Sequence, residues 1–344
     1  MGCTGVKLIT KENEVFWGRT QDFELQYDYK VAKIPSNYNF SNMYTPFKSK
    51  YTTMGVLWAE TNVKKYPVYL DGINEHGLVG GSFYFDNFYN YQSTETILKN
   101  KKIPLRGEEV ATWILTNYKN VNEIINKLND DVQVTNAAGP MDNRSMPQHS
   151  MFMDSTGRSI VVEPTLDNGF EIFENKIGVF TNAPNFKWHL TNLKIHLEKS
   201  SNRKFNYKLN EEIPHFEDYE YTSGLVGIPS DYKPESRFIR AAYNKLLSPE
   251  VTRETVLSQM NAIISTVNNP IGSLRIKNED GEILKPWTQF TVIHDQSEKI
   301  MYVHSYNNRT MQKVKLEDED DTLKTIEFYS FQKDEIIINM EIEK

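Results

Sequence analysis

Groups of strand-forming residues alternate with groups of helix-forming residues along all 344 residues, and no Pro/Gly linker is long enough to part them. No internal repeat or low-complexity tract interrupts the alternation. Each half-buried strand and each amphipathic helix must bury its apolar side, so alternating groups pack as layers about one core. The expectation is a single α+β domain of stacked sheets covered by helices, although length alone suggests about two domains.

The first hundred residues read as strands. Gly5–Thr10 and Val15–Arg19 flank a polar Lys11-Glu12-Asn13 turn, a hairpin signal. Val31–Ile34, Met54–Ala59, Val68–Leu70 and Leu78–Phe85 continue the pattern. Gly107–Tyr118 sets Val110, Ile114 and Leu115 on one helical face, with Glu108 and Glu109 in the first turn, and Val121–Leu128 repeats it. Strands resume from Val132 to Thr181, among them Ser159–Glu163, Phe170–Phe173 and Gly178–Thr181. A tyrosine-rich, acidic loop spans Ser200–Asp231, and Glu235–Leu247 and Thr252–Val267 then read as helices. Trp287–His294 and Ile300–His304 form a second hairpin, and an acidic turn at Glu317–Asp321 precedes a final strand pair.

Composition excludes several function classes. With 39 Lys and Arg against 46 Asp and Glu, the net charge is −7. The basic clusters (Lys64-Lys65, Lys99 with Lys101 and Lys102, Arg203-Lys204) are short, so no nucleic-acid partner is expected. No apolar run approaches the ~18 residues of a membrane helix, and the N-terminus lacks the regions of a signal peptide. The expectation is a soluble, cytoplasmic protein. The sequence holds no P-loop, no G-x-G-x-x-G and no G-x-S-x-G; the nearest match to the last, Gly81-Ser82-Phe83, continues with Tyr84. Seven scattered histidines form no H-E-x-x-H, so neither a metal nor a cofactor is expected. The N-x-[ST] triplets at Asn39, Asn143 and Asn308 read as chance without a secretory signal.

The one cysteine, Cys3, excludes an internal disulfide and admits three readings. It is a buried hydrophobe in the first strand. It is an acylation site, though the lipidation pattern wants Ser or Thr where this chain has Val6. Or it is an N-terminal nucleophile, exposed when Met1 and Gly2 are removed. Its own α-amine, with a reference pKa of ~7.7–8.0, then accepts the thiol proton. The returning hairpin brings Arg19 and Asp22 beside the chain start: a cation for a thiolate and an acceptor for an amine. Taken alone, that Arg and Asp read first as a surface ion pair at a strand end, since most such pairs are structural.

The Cys3-Thr4-Gly5 start followed by Gly18-Arg19-Thr20-Gln21-Asp22-Phe23 resembles the choloylglycine hydrolase family, which includes penicillin V acylases and conjugated bile salt hydrolases. The similarity continues in Asp71-Gly72-Ile73-Asn74-Glu75-His76-Gly77-Leu78, in Thr181-Asn182-Ala183-Pro184 with Trp188-His189, and in Ile228-Pro229-Ser230-Asp231-Tyr232 with Ser236-Arg237-Phe238. Thr288-Gln289-Phe290-Thr291 and Tyr306-Asn307-Asn308 match late family segments, so the matches span most of the chain in order. The resemblance implies an α+β, four-layer αββα sandwich of two antiparallel sheets, the N-terminal-nucleophile hydrolase fold, over residues 3–344. It implies an amidase acting on a small N-acyl amide through an acyl-thioester, and a homotetramer. It implies Cys3 as nucleophile with its freed amine as base, flanked by Arg19 and Asp22. Asn182 is implied as an oxyanion donor, with the backbone N–H at Tyr84 as the second, and Arg237 as a group that helps hold the charge state of the cysteine. Loss of one such donor typically costs about 10²–10³ in rate.

The chain departs from the family pattern at three places. Gly2 intervenes between Met1 and Cys3, as a short propeptide or a cloning scar, and an amide nitrogen is not a base. Tyr84 stands where bile salt hydrolases carry asparagine; in this it resembles penicillin V acylases, and it offers an aromatic wall for a phenoxyacetyl group. The loop before Gly227 holds fewer glycines than the family's subunit-assembly loop. The resulting expectation is an acylase of penicillin V or a similar N-acyl compound. Its rivals are a bile salt hydrolase, an acyl-homoserine lactone acylase, and a non-enzymatic or acylated membrane-associated binding protein.

Overall fold

Strands β1 (Thr4–Ile9) and β2 (Val15–Phe23) form the expected hairpin, with Val6 opposite Gly18 and Ile9 opposite Val15. Asn13, at φ 63°, turns the chain in the left-handed region that asparagine tolerates. A computed structural model describes residues 2–58, 65–139, 143–201, 227–278, 280–317, 320, 323–331, 334–338 and 340 of the chain. Most of the tyrosine-rich acidic loop lies outside the described residues, as do Met1, Lys64, Arg203, Lys204, His215 and positions 318, 319 and 321 of the acidic turn.

The strands that follow are β3 (Lys30–Ile34), β4 (Thr53–Leu57), β5 (Tyr69–Asn74), β6 (Val79–Tyr84), β7 (Gln148–Met153), β8 (Ser159–Leu166), β9 (Gly169–Glu174) and β10 (Val179–Thr181). Then come β11 (Trp287–Asp295), β12 (Ile300–Ser305), β13 (Gln312–Lys315) and β14 (Glu327–Tyr329). Two antiparallel sheets result. One has six strands in the order β10-β1-β2-β11-β12-β13, and the other has eight in the order β9-β8-β7-β6-β5-β4-β3-β14. Helices α1 (Val110–Asn117) and α2 (Val121–Asp131) pack on the eight-stranded sheet. Helices α4 (Pro234–Leu246) and α5 (Val256–Ser265) pack on the six-stranded sheet, and α3 (Phe186–Ser201) lies against α4. The layers are therefore αββα, as expected.

Every residue of β2 is buried, because one face meets the opposite sheet and the other meets the helices. Such a strand lacks the polar alternation of a half-solvated one. Gly18 shows how tight the helix side is: a Cβ there would lie 2.5 Å from Ile264 Cδ1. On the sheet side, Trp17 is fully buried and its ring stacks on His294 at 5.7 Å. Trp17→Ala is expected to cost about 3–5 kcal/mol, seen as a lower urea midpoint with an unchanged slope.

Three expectations change. Helix α3 was not expected, a short helix at Thr94–Lys99 falls within the first hundred residues that read as strands, and the last strand pair is not a local hairpin. Among the described residues, the tail supplies β14, which pairs with β3 from the start of the chain, Glu327 opposite Lys33.

Candidate active site

Cys3 sits immediately before β1, between strands β2 and β10, with 4% of its surface exposed. Its amide N–H donates to Asn182 Oδ1 at 2.5 Å. Its thiol points to Gln21 Oε1 at 3.5 Å, and its carbonyl accepts from Thr181 Oγ1 at 2.7 Å. The amide is thus fully engaged as a donor. With Gly2 still attached, this nitrogen cannot serve as a base.

The hairpin brings Arg19 and Asp22 to the chain start, but on opposite faces of β2. Side chains alternate across a strand, so residues three apart point to opposite sides. Arg19 points between the sheets, where Nη1 donates to Leu70 O at 3.0 Å and Ser82 O at 2.8 Å. Its Nη2 donates to Gln21 Oε1 at 2.7 Å, and the guanidinium lies 4.5 Å from the Phe83 ring centre. Arg19 therefore reaches the thiol through Gln21. Asp22 points toward the helices, where Oδ1 accepts from Thr288 Oγ1 at 2.7 Å and Oδ2 accepts from Asn269 Nδ2. Burial pushes the Asp22 carboxyl up to about 6, against the pull of Arg237 and the Thr288 hydrogen bond.

Asp22 also stands beside Gly2, to which its backbone is bridged. A Cβ at position 2 would lie 2.7 Å from Asp22 Oδ2, and 3.0 Å from both Arg237 Nη2 and Asn269 Nδ2. Residue 2 therefore fills a polar slot with no room for a side chain. That slot is next to the nitrogen that Gly2 removal would free.

Arg237 enters from the first turn of α4, a helix opened by Pro234 at its N-terminal position. It is fully buried. Nη1 donates to Thr4 Oγ1 at 2.6 Å and lies 3.9 Å from Asp22 Oδ2, while Nη2 donates to Asn182 Oδ1 at 3.0 Å. Burial pushes the Arg237 pKa down and the Asp22 charge pushes it back up. Among the described residues the Asp22 carboxylate is ion-paired with Arg237 alone, while Arg19 is satisfied by carbonyls and Gln21 on the other face of β2.

Asn182 follows β10 directly. Its Oδ1 takes both the Cys3 N–H and the Arg237 N–H, while its buried Nδ2 meets no hydrogen-bond partner among the described residues. A buried, unpaired N–H donor is costly and calls for an explanation such as a catalytic role or an ordered water. The residue-84 backbone is adjacent: Tyr84 O accepts from Ala183 N at 3.2 Å. The Tyr84 ring is half-buried, and its hydroxyl is held by Arg144 Nη2 at 3.1 Å and faces Asp86 Oδ2 at 3.3 Å. All six expected positions thus gather around the chain start. Gln21, Thr4, Asn269 and Thr288 also belong to the cluster and were not anticipated. Strand period alone placed Gln21 on the Arg19 face; nothing local announced the others.

No helix among the described residues is long and apolar enough to cross a membrane. The sequence profile of the linear amide C–N hydrolases, choloylglycine hydrolase family, matches residues 3–329. A bile salt hydrolase/transferase of Clostridium perfringens is 30% identical, over 96% of this chain and 97% of that protein. The crystal structure of a mutant conjugated bile acid hydrolase from Clostridium perfringens superposes with a TM-score of 0.82 at 27% identity, covering 98% of this chain and 100% of that one. A penicillin V acylase from Agrobacterium tumefaciens shares the fold, with a TM-score of 0.71 at 19% identity over 95% and 91% of the two chains. The chain belongs to the choloylglycine hydrolase family and is a hydrolase of linear amide carbon–nitrogen bonds.

Proposed function

We propose that this hydrolase cleaves the side-chain amide of penicillin V or a similar N-acyl compound through an acyl-thioester on Cys3. The observation that carries the mechanism is the unpaired Asn182 Nδ2 beside Cys3. Removal of Met1-Gly2 frees the Cys3 amine, which takes the thiol proton. The thiolate adds to the substrate carbonyl carbon, and Asn182 Nδ2 donates to the oxyanion, with the backbone N–H of Tyr84 as second donor. Collapse breaks the C–N bond, and the α-ammonium returns the proton to the leaving amine. Water then adds to the thioester with the amine as base, releasing the acid and the thiol. Asp22, beside the position Gly2 vacates, orients the ammonium. Arg19 acts through Gln21, and Arg237 grips Asn182.

Two observations favour an aromatic acyl group. The Tyr84 hydroxyl is held by Arg144 beside the chain segment that carries Asn182. Tyr29 also borders a cavity of about 80 Å³ lined by Tyr27, Trp287, Tyr306 and Phe331 together with Gln26 and Gln289. A second reading, a glycine- or taurine-conjugated bile salt, is favoured by the names of the relatives that match this chain end to end. A panel of penicillin V, glycocholate, taurocholate and an acyl-homoserine lactone, with released amine measured, separates the two. Penicillin V is expected to give the highest kcat/KM. Faster turnover of bile conjugates would replace the first reading by the second. Intact mass on the same sample is expected to show loss of Met1-Gly2; a fully active species retaining Gly2 would refute the free-amine base.

A further inference from the structure

Two buried histidines with no part in the acyl-transfer steps hold the backbone that presents Asn182. His149 on β7 and His189 on α3 are 1% and 0% exposed. His149 Nε2 meets Thr181 O at 2.9 Å, and His189 Nε2 meets Asn182 O at 2.9 Å. A carbonyl only accepts, so each Nε2 carries the proton. His149 Nδ1 faces Glu163 Oε1 at 3.0 Å, an oxygen that also accepts the Phe186 N–H at 2.8 Å. Two acceptors would not face each other at that distance, so the contact is a hydrogen bond. His149 stacks on Phe85 at 4.0 Å between ring centres, and His189 on Phe238 at 4.8 Å. Burial pushes His189 down to about 4, so it stays neutral and keeps one N–H for Asn182. Its Nδ1 meets no partner in hydrogen-bond geometry among the described residues.

The two carbonyls belong to the peptide units on either side of the Asn182 Cα. Pinning both fixes φ and ψ of Asn182 and hence its Cα–Cβ direction. Ala183 N–H to Tyr84 O holds the second unit from its other edge. With Oδ1 gripped by Cys3 and Arg237, no torsion of Asn182 is left free to turn Nδ2 away. We infer that His189, with the His149–Glu163 pair behind it, is a positioning residue that aims the Asn182 side-chain N–H at the reacting carbonyl. The inference rests on the proposed role of Asn182 as oxyanion donor.

The test uses which ring nitrogen matters. A glutamine at 189 places its amide N–H near the His Nε2 position, whereas an asparagine places it near Nδ1, away from the Asn182 carbonyl. His189→Asn is expected to lower kcat by roughly ten- to a hundredfold with KM within about twofold, and His189→Gln to restore most of it. In an Asn182→Ala background, His189→Asn is expected to cost less than about twofold further, because the group it aims is gone. Equal impairment of the Gln and Asn variants, or an undiminished cost in that background, overturns the inference. An Asn182→Ala enzyme with near-normal kcat instead refutes the donor assignment itself. Thermal melts report folding of each variant. If His189→Asn does not fold, His149→Asn, whose amide lies near the Nδ1 position so that it keeps the Glu163 contact and gives up the N–H to Thr181 O, is compared in both backgrounds. It is expected to lower kcat only where Asn182 is present, and an equal fractional loss in both would overturn the inference.

Discussion

Cys3→Ser is expected to reduce amide hydrolysis on the order of 10⁴-fold or more, and to leave Gly2 attached, while the protein folds as before. The hydroxyl is a far weaker nucleophile than a thiol near neutral pH, and the site offers no second base strong enough to activate it. Cys3 is a small residue against Gln21, Asn182 and Thr181, so exchanging sulfur for oxygen removes little buried volume. Thermal melting should therefore shift by only a few degrees. Released amine, intact mass and a melting curve on one preparation read all three outcomes. Turnover at more than about a tenth of the parent rate would refute the nucleophile assignment. Lost turnover with a collapsed melting curve would assign Cys3 to the core instead.

Much of this site was legible along the chain, for reasons particular residues make plain. The β1–β2 hairpin follows from Val, Phe and Trp flanking a polar turn, and it alone brings residues 19–22 back to residue 3. Period two then separates Arg19 from Asp22 and places Gln21 on the Arg19 side, a consequence the motif spacing did not state. Helix α3 escaped because its apolar residues lie on more than one face. Phe186 and Leu193 are buried while Trp188, Leu190 and Ile195 are exposed. The buried stripe Phe186, His189, Leu193 is helical in period, but it contains a histidine and so reads as polar. What the sequence could not carry is pairing across long separations. Cys3 meets Asn182 across 179 positions, Thr4 meets Arg237 across 233, and Asp22 meets Asn269 across 247. Family resemblance supplied the first two partners; the packing of the six-stranded sheet against α4 and the chain after α5 supplies the third.

Asn182→Ala is expected to lower kcat by about 10²–10³-fold with KM changed only slightly, because the N–H it removes is used when charge develops on the substrate oxygen. The side chain is held in advance. Its Oδ1 bonds to Cys3 N at 2.5 Å and to Arg237 Nη2 at 3.0 Å, so Nδ2 costs no reorganisation at the moment of reaction. Truncation leaves Arg237 its bonds to Thr4 Oγ1 and Tyr232 O and its proximity to Asp22, so the guanidinium is not stranded. The loss should therefore appear in the chemical step rather than in folding. Asn182→Asp sharpens the assignment. It keeps the oxygen that receives the Cys3 and Arg237 donors, yet it replaces the free N–H by an oxygen that repels the oxyanion, and it should be at least as slow as the alanine variant. Were Nδ2 merely a structural group, the aspartate variant would retain the Oδ1 contacts and most of the activity. Steady-state kcat and KM for both variants, on protein whose Met1-Gly2 removal is verified by intact mass, separate a donor from a strut. An aspartate enzyme faster than the alanine enzyme would show that the oxygen, and not the nitrogen, is the part of Asn182 on which the reaction depends.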